Sequence, residues 1–241
     1  MVATKIRLFV DHPLETAQSV ALSREQAHYL FGVMRASVGD TLAVFNGLDG
    51  EFRAAITEAR KREGQLLTQE RTRDQQNPPD LWLLFAPIKK TRTDFIVEKA
   101  TEMGAARIMP VQTAFTNSER IRRDRLQAHC IEAAEQCGGT YVPEVTELQK
   151  LGKLLDNWPA GRMLIFCDEA LVGARETLQT VKRGQPAAIL IGPEGGFDPS
   201  ERAGLLKLPF VQRISLGPRI LRADTAVVAA LTAWQLTLGD W

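Results

Sequence analysis

The segment ILIGPEGGFDPSE, residues 189–201, constrains the fold of this chain more than any other stretch. Three apolar residues run directly into a glycine-rich loop, which is typical of a buried strand that ends in a tight turn. After the loop, Asp198 and Glu201 have the spacing of a helix capping box, and Pro199 suits the first helical position. The segment therefore predicts a strand, a glycine loop and a helix start, which in α/β proteins lie at the carboxyl edge of the sheet, where ligands bind.

Strands and helices alternate after the polar stretch TRDQQNPPD, residues 72–80. Strands are predicted at 81–87, 106–113, 163–169, 187–192 and 212–217, and helices at 93–104, 123–139 and 224–238. We expect Thr93 or Asp94 to cap the first of these helices, and Leu126, Cys130, Ala134 and Cys137 to share one face of the second. The alternation predicts an α/β domain with a mostly parallel sheet and helices on both faces.

The first part of the chain has a different pattern. Short β-like runs at 6–10, 41–47, 51–59 and 65–70 are separated by the turn signals Asn46-Gly47 and Asp49-Gly50, and Ser23 suits the N-cap of one short helix. This pattern predicts a small β-rich domain, a barrel, over residues 1–72. The predicted linker covers 73–80, and the second domain covers 81–241.

Composition sets few limits. The chain has 241 residues, 44% of them hydrophobic, and a net charge of +1, so the total charge neither demands nor excludes a nucleic-acid partner. No signal peptide and no apolar run of about 18 residues is visible, so no membrane partner is expected. The three cysteines show no ligand spacing, which predicts no metal site and a reduced, cytoplasmic setting.

Three predicted strands end in unusual sequences. MLIFC runs into DEA, ILI into GPEGGF, and ISL into GPRILRADTA. In a parallel sheet these exits meet at one edge, so we expect them to build one pocket. Neither a Walker loop nor GxGxxG is present, and Glu194 disfavours an anion, so the pocket suits a ligand with positive charge. A tight turn without a ligand is the alternative for GPEGGF alone.

Taken together, GPEGGF and LGPRILRADTA, about 20 residues apart, resemble the cofactor-binding signature of the SPOUT class of RNA methyltransferases. The similarity is closest to the bacterial enzymes that methylate N3 of a uridine in small-subunit (16S) ribosomal RNA. It extends to residues 28–40, 87–111 and 132–145. The chain departs from the family pattern at Gly139, where a basic residue is common, and at Lys90-Thr91-Arg92, which stands for a usual Lys-Gly-Asp-Arg.

The resemblance implies an RNA-binding, PUA-like β-barrel followed by a deep trefoil-knotted α/β domain, an exception to the unknotted topology of most folds. It also implies S-adenosylmethionine (SAM) bound in a bent form inside the knot, ribosomal RNA of the small subunit as the partner, and a homodimer in which the second subunit helps to complete each site.

Residues around the three exits are the expected cofactor contacts: Phe166, Leu190, Ile191, Gly192, Gly195, Gly196, Leu216, Gly217, Ile220 and Leu221. Apolar side chains and backbone groups suit adenine, and Gly195 and Gly196 permit close backbone approach. Plain core packing is the alternative for each leucine and isoleucine.

Methylation at uracil N3 requires loss of a proton, which a base or a cation that stabilises the uracil anion promotes. Arg222 is the first candidate for the cation and Arg219 the second. Glu194 is a candidate base or a partner for the sulfonium. An ordinary surface ion pair is the alternative for each arginine, and no residue identifies itself as the base.

The RNA contacts are expected where basic residues accumulate. Residues 85–125 contain nine basic and five acidic side chains. Lys89, Lys90 and Arg92 are favoured because they directly follow a predicted strand end, and Arg7 and Arg35 are weaker candidates in the first domain. A charged, solvated helix face is the alternative.

Two other functions stay open at this point. Related knotted enzymes act on transfer RNA, although the N-terminal block favours ribosomal RNA. A non-catalytic RNA-binding or assembly factor is the second, although the intact loop motifs argue against it.

Overall fold

The computed structural model describes residues 6–117, 120–171 and 181–241. The chain divides into two compact units. The first comprises Met1–Asn77 with Ala134–Val142, and the second comprises Pro78–Ala133 with Pro143–Trp241. The division after Asn77 falls within the stretch 73–80 that the sequence suggests as a linker, whereas nothing in the sequence indicated that 134–142 joins the first unit.

The first unit is built on a five-stranded sheet in the order β1-β3-β4-β5-β2. Its strands are β1 (Arg7–Phe9), β2 (Ser19–Ala21), β3 (Thr41–Phe45), β4 (Glu51–Arg60) and β5 (Glu63–Arg73). Strand β1 is parallel to β3, and the other pairs are antiparallel. Side chains alternate along β4 and β5 so that Phe52, Ala54, Ile56 and Leu66 enter one apolar core.

One short helix belongs to this unit. Helix α1 (Arg24–Ala27) begins after Ser23, whose hydroxyl accepts from the Gln26 backbone N–H in a capping box, and it continues as a π-helical segment, His28–Val33. The predicted N-cap is thereby confirmed.

The second unit contains a parallel sheet in the order β12-β10-β11-β6-β7-β8, with β9 paired to β7. Its strands are β6 (Leu81–Phe85), β7 (Arg107–Gln112), β8 (Glu144–Val145), β9 (Gln149–Lys150), β10 (Met163–Cys167), β11 (Ala187–Ile191) and β12 (Val211–Ile214). Its helices are α2 (Lys90–Glu102), α3 (Arg123–Cys137, whose last residues belong to the first unit), α4 (Leu151–Asp156), α5 (Pro199–Leu205) and α6 (Ala223–Leu238).

The predicted α/β class with a mostly parallel sheet is confirmed. The deep trefoil knot implied by the family resemblance stays a prediction.

The sheet buries both of its faces. Phe166 and Leu190 are fully buried in a cluster that includes Leu151 of α4 and Leu205 of α5. Because side chains alternate along a strand, Ile189 and its neighbours point to the other face, and α6 packs against β11 and α2. The Gln235 side chain donates to the Met103 carbonyl at 2.7 Å, which ties α6 to the end of α2.

Helix α2 begins earlier than the sequence suggests. Its N-cap is Lys89, without a side-chain cap, so the expectation of Thr93 or Asp94 is wrong. The Thr93 hydroxyl instead bonds with the backbone of Ile88, and the Asp94 carboxylate pairs with Arg125. The Thr93 side chain therefore closes the turn before the helix, and the Asp94 side chain ties α2 to α3.

Helix α3 buries only part of the face that the sequence predicts. Leu126, Cys130 and Ala134 are buried, whereas Cys137, on the same face by its spacing, is exposed because it is the last residue of the helix. Gly138 follows with a φ of 79°, which matches the predicted glycine stop. In the described part of the chain, no helix has the length and apolarity needed to cross a membrane.

Candidate functional site

A cavity of about 270 Å³ lies in the second unit where strands β10, β11 and β12 end. The three strands are neighbours and parallel, so their carboxyl ends meet at one edge of the sheet. The lining comes from three segments, 167–170, 191–202 and 215–226. The expectation that the three strand exits build one pocket is confirmed.

Gly192 begins the first loop and has a packing reason to be glycine. A Cβ atom at this position would lie 2.5 Å from the Phe197 ring. That ring packs edge-on against Phe166, with centroids 5.0 Å apart. The loop is therefore folded closely over an aromatic pair that belongs to the core of the sheet.

The loop is fixed at its far end by helix α5. Asp198 caps the helix through the Ser200 backbone N–H, Glu201 completes the capping box, and Pro199 occupies the first turn, all as predicted. Gly196 has a φ of 70°, and its missing side chain leaves room for the Glu169 carboxylate. The backbone of the loop thus borders the cavity in a fixed conformation.

The second loop connects β12 to α6. Gly217 has a φ of 117°, which strongly favours glycine, and its N–H donates to the Ser215 hydroxyl at 3.2 Å. Ile220 is 83% exposed. Arg222 is the N-cap residue of α6, so its side chain projects from the first turn of the helix beside the cavity.

One ion pair of the lining has a buried carboxylate and a partly exposed arginine. Asp168, which directly follows β10, accepts hydrogen bonds from Nε and Nη2 of Arg202, the shortest at 2.9 Å. These contacts raise the pKa of Arg202 further above its usual value. Neither residue is among the site residues expected from the sequence. The position of Asp168 after an apolar strand was the available signal, whereas Arg202 carried none.

Arg92 forms ion pairs with residues of two segments that line the cavity. Nη1 of Arg92 lies 2.8 Å from Oε1 of Glu194, and Nε lies 3.8 Å from Oδ2 of Asp224. Glu194 belongs to the first loop, and Asp224 lies in the first turn of α6. Arg92 therefore connects both segments that border the cavity.

Most of the expected site residues meet at this cavity. The lining includes Ile191, Gly192, Glu194, Gly196, Leu216, Gly217, Arg219, Ile220, Leu221 and Arg222. Phe166 and Leu190 lie in the core beneath it, and Gly195 faces Phe115 instead. Unlike Arg92 and Arg202, Arg219 and Arg222 have no carboxylate partner within residues 6–117, 120–171 and 181–241.

The expected RNA contacts are divided between the units. Lys89 and Lys90 are exposed at the start of α2, and Arg35 is exposed in the first unit with a φ of 58°. Arg92 is held by its two carboxylates.

Arg7 is bonded within the first unit. Its guanidinium bonds to Glu51 at 2.8 Å and to the carbonyls of Ala134, Glu135 and Gly139 at 2.6 to 3.0 Å. It also lies over the Phe45 ring. The side chain caps the end of α3, and most of its donors are used within the unit. The expectation that it contacts RNA stays a prediction.

Comparison with known proteins places the chain. A family model described as an RNA methyltransferase domain matches residues 75–235, and one described as an RNA methyltransferase PUA domain matches residues 22–68. The ribosomal RNA small subunit methyltransferase E of Rickettsia conorii is 28% identical over 95% of each chain. The protein of that name from Synechocystis is 31% identical over 88% of this chain and 71% of its own.

Solved structures agree. A proposed methyltransferase of Legionella pneumophila, in complex with SAM, has a TM-score of 0.90 and 28% identity over 100% of both chains. The small subunit methyltransferase E of Neisseria gonorrhoeae, bound to SAM, has a TM-score of 0.83 and 26% identity over 98% of this chain and 99% of its own. The match of the catalytic family model to most of the sequence confirms the family resemblance, and this chain belongs to the RNA methyltransferase family.

Proposed function

We propose that this protein transfers the methyl group of SAM to N3 of a uridine in small-subunit (16S) ribosomal RNA. The observation that carries the proposal is the meeting of Gly192 and Gly217, from separate loops, at one cavity. The names of the relatives support the RNA class, and their bound SAM supports the cofactor. The choice of uridine N3 rests on the family resemblance of the sequence.

The cavity lining fits SAM. Leu216, Ile220 and Leu221 offer apolar surface for the adenine, and the backbone at Gly192 and Gly217 is open to close approach. The carboxylates of Glu169 and Glu194 border the same space and would attract a positively charged ligand. Three expected contacts would support the glycine loop without lining the cavity: Phe166, Leu190 and Gly195.

The chemistry divides simply between cofactor and protein. Bound SAM would supply a methyl group activated by its sulfonium: the N–C bond would form as the S–C bond breaks, the sulfur would remain as a thioether, and the proton of N3 would pass to water. Arg222 would stabilise the negative charge that develops on the uracil, since its guanidinium projects beside the cavity without a carboxylate partner in the described residues. Arg219 is the second candidate for this role. Alignment of the reacting atoms supplies the rest.

Of the two roles expected for Glu194, base or partner for the sulfonium, this proposal keeps the second. Its carboxylate is already bonded to Arg92 at 2.8 Å, so a hydrogen bond with the substrate would compete with that pair. We therefore propose that Glu194 attracts the sulfonium and holds Arg92, and that it does not remove the proton.

The RNA would be held by exposed cations. Lys89 and Lys90 lie after the end of β6, at the sheet edge where the cavity lies, and Arg35 lies on the first unit. We propose these three as phosphate contacts.

We also propose a cytoplasmic homodimer in which the second subunit completes each site. Three exposed apolar side chains support self-association: Ile220, Leu236 and Trp241 are 83%, 68% and 58% exposed. Light scattering of the purified protein would give twice the monomer mass of 26.7 kDa. A monomer at micromolar concentration would contradict the dimer.

The decisive experiment maps methyl groups on ribosomal RNA by mass spectrometry in a strain that lacks the gene. We expect one uridine to lose an N3 methyl group, and the wild-type gene to restore it. Arg222→Ala would not restore it, whereas Lys207→Ala, an exposed residue outside the cavity, would.

Other outcomes identify the alternatives. Loss of a methyl group from transfer RNA instead would move the substrate to the second RNA class. Calorimetry that shows no heat with SAM, while small-subunit binding persists, would support a non-catalytic assembly factor.

A further inference from the structure

Phe115 is an exposed aromatic side chain at the sheet edge where the cavity lies. It follows β7, and because all strands of this sheet are parallel, the end of β7 lies at the same edge as the ends of β10, β11 and β12. The residue is 43% exposed, which is unusual for a phenylalanine.

A rigid turn presents this ring. The Thr116 hydroxyl accepts from the Thr113 backbone N–H at 2.8 Å and bonds to the Thr113 hydroxyl at 2.9 Å. Both threonines are buried. The Ala114 N–H donates to Glu201, the capping-box residue of α5, at 2.9 Å. The turn is therefore held at both ends while Phe115 projects from its tip.

The ring is next to the loop of the proposed cofactor site. The Cβ of Phe115 lies 3.5 Å from the position that a Cβ on Gly195 would occupy. Glu194 and Gly196, on either side of Gly195, line the cavity. The phenyl ring thus continues the surface of the cavity outward across the sheet edge.

Cations accompany the ring. Strand β6 lies between β7 and β11, and Lys89 and Lys90 follow its end at the start of α2, so they lie at the same sheet edge as the Phe115 turn and the glycine loop. An exposed aromatic face beside exposed lysines is the combination with which proteins bind unpaired nucleotides, since the ring stacks on a base and the cations attract phosphates.

We propose that Phe115 stacks on an unpaired nucleobase of the RNA and so positions the substrate strand over the cavity. This inference rests on the proposed function and adds a substrate contact to it. Phe115 is a binding residue here, and it takes no part in the transfer of the methyl group.

The test compares four substitutions at one position. Phe115→Ala removes the side chain, Phe115→Leu keeps apolar contact with the Gly195 loop but lacks a π face, and Phe115→Tyr and Phe115→Trp keep the π face. Initial rates are measured with labelled SAM and small ribosomal subunits from a strain without the gene. Phe95→Leu, at 39% exposure on α2, is the matched control.

We expect Phe115→Ala and Phe115→Leu to raise the KM for the subunit roughly 5- to 100-fold, with little change in kcat, because stacking on one base has about that value. Phe115→Tyr, Phe115→Trp and Phe95→Leu should remain within about twofold of wild type. The Kd for SAM, measured by calorimetry, should stay the same in all variants.

Several outcomes would overturn the inference. A Phe115→Leu enzyme with a wild-type KM would show that the ring serves only as apolar packing. If the Kd for SAM of Phe115→Leu rises by the same factor as its KM for the subunit, the ring acts through the glycine loop. Dissociation of Phe115→Ala into monomers would show that a second copy of the chain covers the ring.

Failure of the proposed function is a separate outcome. If the wild-type protein transfers no methyl group, the same variants are compared by filter binding to the small subunit. The stacking inference then stands or fails on whether Phe115→Leu binds more weakly than Phe115→Tyr.

Discussion

Arg92 and Glu194 are 102 positions apart in the sequence, yet Nη1 of the arginine donates to Oε1 of the carboxylate at 2.8 Å. The same guanidinium lies 3.8 Å from Asp224. Arg92 of α2 thereby connects the loop of Glu194 to the first turn of α6, which contains Asp224. We therefore expect Arg92 to position the two segments that border the cavity, a role that would compete with the phosphate contact expected from the sequence.

Removal of this connection should weaken cofactor binding and have at most a small effect on stability. In Arg92→Met, we expect the Kd for SAM to rise about fivefold, which corresponds to roughly 1 kcal/mol for a partly exposed ion pair. The unfolding free energy should fall by no more than about 1 kcal/mol. Calorimetry and urea unfolding measure the two effects.

Lys99→Met is the matched control, because Lys99 pairs with Glu102 at 2.6 Å on the same helix but outside the cavity lining. The positioning role is contradicted if both variants bind SAM equally well. A higher KM for RNA with unchanged SAM affinity would restore the original expectation of an RNA contact.

Gly192→Ala should lose both stability and SAM affinity. The new Cβ would lie 2.5 Å from the Phe197 ring, which is itself packed against Phe166, so the loop or the ring must move. Overpacking of this kind costs about 1–3 kcal/mol. Thermal unfolding and SAM calorimetry measure the loss.

Gly204→Ala provides the opposite result in the same region. Gly204 lies in α5, and a Cβ there meets nothing within 4 Å. Alanine is favoured over glycine in a helix, so the variant should gain up to about 1 kcal/mol. Destabilisation by Gly204→Ala as large as that of Gly192→Ala would contradict the steric explanation.

Arg162 should be the most important arginine for the stability of the second unit. It is buried, bonds twice to Asp80 and to the Ala187 carbonyl at 2.8 Å, and lies 3.6 Å from the centroid of Trp82. Because Asp80 is half-exposed, the ion pair itself contributes little, and the buried hydrogen bonds contribute more. Arg162→Met should lower the unfolding free energy by about 1.5–3 kcal/mol.

Arg107→Met is the comparison for that variant. Arg107 also lies over Trp82, at 5.2 Å, but its ion pair with Glu144 is largely exposed. We expect less than about 1 kcal/mol of destabilisation in urea unfolding. Equal losses in the two variants would assign the effect to the tryptophan contact instead of the buried hydrogen bonds.

The cap of α5 should make stability depend on pH. Hydrogen bonds from the hydroxyl and backbone N–H of Ser200 lower the pKa of Asp198 below its ordinary value of 3.8. A carboxylate with a lowered pKa stabilises the fold above the unfolded-state pKa, and this contribution is lost as the pH falls through the folded-state pKa. The difference in Tm between wild type and Asp198→Ala should therefore be full at pH 6 and shrink below about pH 4.

Asp198→Asn separates charge from capping, because asparagine is also a good N-cap and does not titrate. The difference in Tm between Asp198→Asn and Asp198→Ala should be nearly constant over the same range. A constant difference between wild type and Asp198→Ala would contradict the assigned protonation.

Local signals account for the parts of this protein that the sequence predicted well. The exits of β11 and β12 are visible as apolar runs that end at glycines, and the cap of α5 needs only residues 198–201. Strands β8 and β9 have two residues each, too few to show a period of two.

Contacts between distant residues account for the rest. The acceptors of Arg7 are up to 132 residues away, and those of Arg92 are carried by two separate loops. Whether such an arginine faces RNA or a carboxylate depends on the fold, and a count of charges along the sequence does not distinguish the two.

The Phe197 ring over Gly192 has a consequence for how this family is recognised. Folding alone is sufficient to preserve that glycine, because any larger residue collides with the ring whether or not a ligand is bound. A relative that had lost its activity would keep the motif for as long as it kept its shape. Arg222 lines the cavity without a carboxylate partner in the described residues, so in the role proposed for it we expect it to separate active members from inactive ones better than the glycine does.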